Sequence, residues 1–193
     1  VTGGAGFIGS NLIKKLLLNK DNIIFNLDKL GYASSTKSID YIFENNESSS
    51  LGKYEFLKVD LENKFETENI LNYVYPDLIM HLAAESHVDR SIDSPENFIT
   101  SNIVGTFNLL ESSRKLWNRF DEEKKNKFKF HHISTDEVFG SLGNTGSFHE
   151  KTPYDPRSPY AASKASSDHL VRSWHHTFGI PSLITNCSNN YGP

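Results

Sequence analysis

Three glycines at a spacing of three, Gly3, Gly6 and Gly9, constrain this chain more than anything after them. The run Thr2-Gly3-Gly4-Ala5-Gly6-Phe7-Ile8-Gly9-Ser10 is followed by Leu12, Ile13, Leu16 and Leu17, apolar positions at helical spacing. The pattern predicts a strand end, a tight turn and a helix. Such a turn uses dihedrals that side chains resist, and a side chain there would hold a pyrophosphate away from the backbone. The bared amides and the positive end of the helix dipole then favour phosphate oxygens. Ile23-Ile24-Phe25-Asn26-Leu27-Asp28 predicts a second strand, ending in a carboxylate 19 residues after Gly9. An acid at that point is placed for the ribose hydroxyls of adenosine and repels a 2′-phosphate, which favours NAD over NADP. Lys29, next to it, leans the other way.

Strands and helices alternate from there on. Tyr54 to Val59, Asp77 to Leu82, Phe128 to Ile133 and Pro181 to Thr185 read as strands; 63–75, Pro95 to Trp117 and Ser158 to Phe178 read as helices. The alternation predicts an α/β fold, a Rossmann-type doubly wound parallel sheet of six strands with helices on both faces. A length of 193 residues suits one domain, so 1–193 is expected to be a single NAD-binding unit. Asp60 closes the third strand, either to bond an adenine amine or to cap the next helix. Residues 44–52 and the charge run from Asp121 to Lys129 read as solvated loops. The fourth strand runs into Ala83-Ala84-Glu85-Ser86-His87-Val88-Asp89-Arg90, small residues where a ligand outside a strand's carboxyl end must come close. An ion pair within His87, Asp89 and Arg90 is the plain reading of those three. Asn102, inside the long helix, either faces the cofactor or is satisfied by its neighbours.

The remaining composition excludes more than it assigns. A net charge of −4 with no basic face argues against nucleic acid. The apolar runs are shorter than a membrane span. Cys187 is the only cysteine, so no internal disulfide can form and a reducing, cytoplasmic location fits. His-x-Asp at His87 and the doublets His131-His132 and His175-His176 lack the further ligands a metal site needs. The chain opens at Val1-Thr2 and stops at Tyr191-Gly192-Pro193, inside what reads as a site loop. It is expected to be truncated at both ends.

The chemistry concentrates in two stretches. Phe128 to Ile133 delivers Thr135, Asp136 and Glu137, three side chains able to move protons. Tyr160-Ala161-Ala162-Ser163-Lys164 puts a phenol and an ammonium four residues apart, on one face of a helix. A lysine beside a tyrosine favours the phenolate, which can act as a general base for a hydroxyl proton.

Taken with Gly3-x-x-Gly6-x-x-Gly9, Asp28, Tyr160-x-x-x-Lys164 and Asn190-Tyr191-Gly192-Pro193, the chain resembles the extended short-chain dehydrogenase/reductases that act on nucleotide sugars. Within them it looks most like the dTDP-glucose 4,6-dehydratases, by His81 to Ser91, Ser134-Thr135-Asp136-Glu137-Val138 and Ser188 to Pro193. The family's epimerases use the same tyrosine and lysine without the acid pair. Phe139, where tyrosine is common, and Gly31, where threonine is more usual, depart from the pattern.

The resemblance implies a mechanism. Tyr160, activated by Lys164, takes the 4-hydroxyl proton as hydride passes from C4 to NAD, and Thr135 bonds that oxygen. Glu137 then takes the C5 proton, Asp136 protonates the departing C6 hydroxyl, and hydride returns to C6. It also implies NAD contacts at Gly3, Gly6, Phe7, Ile8, Gly9, Asp28, Lys29, Leu30, Asp60, Leu61, Leu82, Ala83, Ala84, Ser101, Tyr160, Lys164 and Asn190. Substrate contacts are expected at Ser86, Thr135 and Asn189, and a homodimer through Pro95–Trp117 and Ser158–Phe178 as a four-helix bundle. The nucleotide base is expected to be read by a C-terminal region outside these residues. A UDP-glucose 4,6-dehydratase, a nucleotide-sugar 4-epimerase and a piece that only binds NAD are the alternatives.

Overall fold

A computed structural model describes residues 1–192, without the Ser48 side chain. Five strands form: β1 (Ile23–Asp28), β2 (Lys53–Lys58), β3 (Leu78–His81), β4 (Lys129–Thr135) and β5 (Ser182–Cys187). β1 pairs with β2, β3 with β4 and β4 with β5, all parallel. The two sets are joined by Thr2, which bridges Leu27 on one side and His81 on the other. The expected first strand is therefore present as one bridging residue between β1 and β3. The resulting order, β2-β1-Thr2-β3-β4-β5, reverses direction at Thr2, the position from which a doubly wound sheet opens its crevice.

Helices cover both faces, as the alternation predicts. α1 (Phe7–Leu17) buries Ile13 and Leu17, and with α2 (Lys37–Glu44) it closes one apolar cluster over Ile24. On the other side α3 (Lys64–Val74), α6 (Gly105–Trp117) and α8 (Pro159–Phe178) bury Leu71, Leu109, Leu110 and Val171 against Ile79 and Phe130. Burying both faces explains why β1 is rich in apolar residues rather than strictly alternating.

Two segments differ from the sequence reading. The charge run after Asp121 is a helix, α7 (Glu122–Lys127), not a loop. Asp121 caps it by accepting the Lys124 amide at 2.8 Å, and Glu123 pairs with Lys127 one turn on; these local bonds replace the apolar stripe that periodicity looks for. The long helix is also interrupted. Val88–Asp93 (α4) and Pro95–Phe98 (α5) lead into a π turn, Ile99–Val104, before α6 begins. Such wide turns hold one residue out of helical register and recur at functional sites. Here that residue set includes Ser101 and Asn102.

Candidate functional site

The glycine turn lies at the crevice. Gly3 has φ +70°, and a Cβ there would sit 2.6 Å from the Ala83 amide nitrogen. A Cβ on Gly9 would run into the Gly3 carbonyl, so α1 starts as close to the turn as backbone allows. Gly6 caps α1, leaving the first-turn amides of Phe7, Ile8 and Gly9 without intrahelical acceptors and open to an anion.

Asp28 ends β1 beside this turn, buried, with one oxygen accepting the Ala5 amide at 3.0 Å and the other the Leu30 amide at 2.8 Å. Leu30 gives up that amide from a left-handed conformation, φ 57°. Lys29 turns aside. It donates to Glu62 at 2.9 Å and to Ser101 at 2.7 Å, and Ser101 donates to Glu62 at 2.8 Å. Partial burial works against the Lys29 charge, but the Glu62 hydrogen bond and nearby carboxylates outweigh it and raise its pKa. That pairing answers the NADP leaning: the ammonium is already committed to a carboxylate. Asp60 does not cap a helix. Its Oδ1 accepts the Glu62 amide at 3.0 Å, while Asn63 caps α3.

These groups enclose a cleft of about 400 Å³. Of the expected cofactor residues, Gly3, Gly6, Phe7, Ile8, Gly9, Asp28, Lys29, Asp60, Leu61, Leu82, Ala83, Ala84, Ser101, Tyr160 and Lys164 line it, and so does Ser86. Leu30 borders Asp28 without lining the cleft; Asn189 and Asn190 are exposed away from its walls, Asn190 bonding Ser188. Pro193, the end of their motif, lies outside the described residues. A glycine turn, a helix start, a paired acid and a floor of small residues suit a dinucleotide in size and charge.

At the far end Ile133 and Ser134 lead from the cleft wall into Thr135, Asp136 and Glu137. Thr135 closes β4 and caps the short 3-10 turn Asp136–Phe139, accepting the Glu137 amide at 3.2 Å. Thr135, Asp136 and Glu137 follow directly on the lining residues Ile133 and Ser134 but do not themselves line the cleft. Ser158 caps α8, accepting the Ala161 amide at 3.0 Å, which sets Tyr160 in the helix's first turn.

The ionisation differs from expectation. Burial pushes the Tyr160 phenol up to about 12, with Glu137 and Asp136 adding to the rise and Thr135 opposing it. Lys164 is pulled down to about 8 by burial, and its Nζ donates to the Ile133 carbonyl at 2.8 Å rather than serving the phenol. Lysine spacing alone therefore does not yield a phenolate at neutral pH; desolvation of the ring wins. Glu137 is raised by burial first and by the Asp136 charge second.

Sequence reasoning missed several wall residues. Tyr32, Ser34, Glu62 and His87 line the cleft, and Arg90 stacks 3.7 Å over the Tyr32 ring in place of the expected ion pair. Nothing local in the sequence marks Tyr32. Asn102 resolves to the satisfied reading: it accepts the Glu85 amide at 2.8 Å and donates to the Glu85 carbonyl at 2.9 Å and to Ser163 at 2.8 Å. It ties the loop after β3 to α8 inside the core. Asn102→Ala removes three hydrogen bonds, one buried and two part-buried, and is expected to cost about 2–4 kcal/mol, read from the denaturant midpoint; a loss below ~0.5 kcal/mol would mean that the tie carries no weight.

Over residues 1–193 the sequence matches the model of the family described as GDP-mannose 4,6 dehydratase. The chain belongs to that family. It is 52% identical over 194 residues to the dTDP-glucose 4,6-dehydratase of Neisseria meningitidis serogroup B, covering 100% of this chain and 53% of that protein. The Haemophilus influenzae dTDP-glucose 4,6-dehydratase is 51% identical over 193 residues, 100% of this chain and 55% of its own length. The chain thus spans about half the length of the curated relatives it matches. Among solved structures, the Bacillus anthracis dTDP-glucose 4,6-dehydratase in complex with NAD superposes with TM-score 0.80 at 36% identity, over 100% of this chain and 55% of that one. A Thermus thermophilus UDP-glucose 4-epimerase complex with NAD gives 0.77 at 28%, over 96% and 53%.

Proposed function

We propose that the protein is a dTDP-glucose 4,6-dehydratase, a hydro-lyase that converts dTDP-glucose to dTDP-4-keto-6-deoxyglucose with bound NAD. The observation that carries this is the Asp136–Glu137 pair, capped by Thr135 at the end of β4 and set against Tyr160. A 4-epimerase needs no such pair, because it moves no proton at C5 and expels no water. The dehydratases among the relatives support the same substrate.

The residues present fit NAD. The Gly3–Gly9 turn leaves a cradle that a Cβ would fill, and the paired carboxylate of Asp28 suits the ribose hydroxyls. NAD would be held by that turn, by Phe7, Ile8, Lys29, Leu30, Asp60 and Leu61, by Leu82, Ala83, Ala84 and Ser101, and by Tyr160, Lys164 and Asn190. When bound it supplies the hydride acceptor at C4 and the donor at C6. Tyr160 receives the 4-hydroxyl proton, with Thr135 bonding the same oxygen. The carbonyl formed at C4 acidifies C5, and Glu137 removes that proton. A raised pKa is an asset there, since a carboxylate that holds its proton more tightly is the stronger base. Asp136 protonates the C6 oxygen, which leaves as water, and Glu137 returns a proton to C5 as C6 is reduced. Ser86, Thr135 and Asn189 position the sugar nucleotide.

The same reading makes residues 1–193 the NAD-binding part of a longer chain, with the base recognised elsewhere; the half-length match to relatives supports it. It also takes the protein to be a cytoplasmic homodimer packed through the Pro95–Trp117 and Ser158–Phe178 helices, where Ile99 and Val104 stand exposed. The test is incubation of the intact protein with dTDP-glucose and, separately, UDP-glucose, reading product mass. Loss of one water from the dTDP sugar is expected. Loss from the UDP sugar alone would reassign the substrate, and an isomer of unchanged mass would make the protein an epimerase.

A further inference from the structure

Lys164 and Asp168 stand one turn apart on α8, both buried, and no step above uses the acid. Among the described residues only Asp28 and Asp168 are buried carboxylates, and Asp28 belongs to the ribose end of the cleft. Asp168 Oδ2 accepts Ser134 Oγ at 2.8 Å and the Tyr154 hydroxyl at 2.9 Å. Ser134 immediately precedes Thr135. One carboxylate therefore joins the helix that bears Tyr160 and Lys164 to the strand end that bears the acid pair.

His132 and Lys164 are the neighbours that act on this carboxylate, and of the two only the lysine is charged at neutral pH. From β4, His132 Nε2 lies 3.2 Å from Oδ1 without hydrogen-bond geometry, and burial holds that ring's pKa down to about 4, so it is neutral at neutral pH. From β3, His81 is likewise pushed far below its usual value by burial, its two nitrogens bonded to Thr2 and Thr106. Arg172 reaches only the far side of the Tyr154 hydroxyl, at 3.0 Å, and is exposed. From β5, Cys187 is the other group acting on Lys164. Burial alone would raise Asp168, but the His132 ring first, then the Lys164 charge and the Ser134 hydrogen bond, lower its pKa. A buried ammonium without a counter-charge sheds its proton.

We propose that Asp168 is a positioning residue for Tyr160 and Lys164, its buried carboxylate keeping Lys164 an ammonium while it binds the middle of α8 to the end of β4. The role rests on Tyr160 being the acid–base group proposed above and on Lys164, one turn along α8, being the cation of the same site. Burial sets Lys164 at about 8 even with Asp168 present, which leaves little margin above neutral pH.

The test is the Lys164 Nζ titration in the intact protein, followed by NMR with isotope-labelled lysine and assigned by the signal lost in Lys164→Met. Asp168→Asn is expected to move the midpoint down by roughly one pH unit or more, and the alkaline limb of kcat with it. Asp168→Glu restores both. Ser134→Ala removes one hydrogen bond but no charge and leaves the midpoint in place. An unmoved midpoint in Asp168→Asn overturns the proposal. If that variant does not fold, the Asp168 carboxyl carbon signal of the unsubstituted protein decides: it should step where Lys164 loses its proton, and no step overturns the proposal equally. A protein that turns over no sugar nucleotide defeats the functional reading, while the Nζ midpoint still judges Asp168.

Discussion

Tyr160→Phe is expected to lower kcat for water loss by about 10²- to 10⁴-fold, the usual worth of a placed acid–base group. The fold should survive, because the ring keeps its packing: it is nearly buried and meets Phe98 edge-on, with centroids 6.3 Å apart. Only the hydroxyl goes. Thr135 keeps other work, since its oxygen caps the Glu137 amide. The stability cost is therefore at most that of one hydrogen bond, about 0.5–1.5 kcal/mol, and NAD retained through purification should match the unsubstituted protein. The ionisation sharpens the expectation. A phenol pushed up to about 12 is protonated at neutral pH, so the free protein should show no Tyr160 phenolate there by ultraviolet titration. Proton loss then has to accompany ligand binding or C4 oxidation. An activity within about threefold of the unsubstituted protein would remove Tyr160 from the chemistry, well outside the effect a general base has.

How much of this was legible beforehand depends on where each signal is written. The glycine turn, Asp28 and the alternation of strands and helices are local patterns, and each reappears with its geometry: Gly3 at positive φ, Asp28 paired to two amides, five parallel strands around Thr2. The partners of those residues are not local. Lys29 beside Asp28 reads as a threat to NAD selectivity until Glu62 is brought against it from 33 residues away. Lys164 reads as the activator of Tyr160, yet its Nζ donates a hydrogen bond to the Ile133 carbonyl and burial is the largest influence on the phenol. Asn102 and Asp168 carry no motif at all; their meaning comes from Glu85, Ser163, Ser134 and Tyr154, each at least 14 residues distant. Helix α7 was hidden for the opposite reason, being held by caps and charge pairs instead of an apolar face.

Glu137→Gln and Asp136→Asn should fail in different ways, and the difference tests the reading of the acid pair. Glutamine cannot take the C5 proton, so Glu137→Gln is expected to reduce water loss by about 10²–10⁴-fold and to abolish exchange of the C5 hydrogen with deuterated solvent. Asp136→Asn removes the donor for the C6 oxygen and leaves the base. Water loss falls again, but C5 exchange continues. A reversed pattern would swap the two roles, and unchanged water loss in both would remove the pair from the elimination. The pH dependence follows from the raised Glu137 pKa, which burial causes first and Asp136 second. As pH falls through that pKa the base is protonated, so activity in the unsubstituted protein should drop on the acid side at a pH above the ordinary glutamate range. Asp136→Asn takes away the neighbouring negative charge and with it part of the rise, so the acid limb of C5 exchange should move to lower pH while the contribution of burial remains.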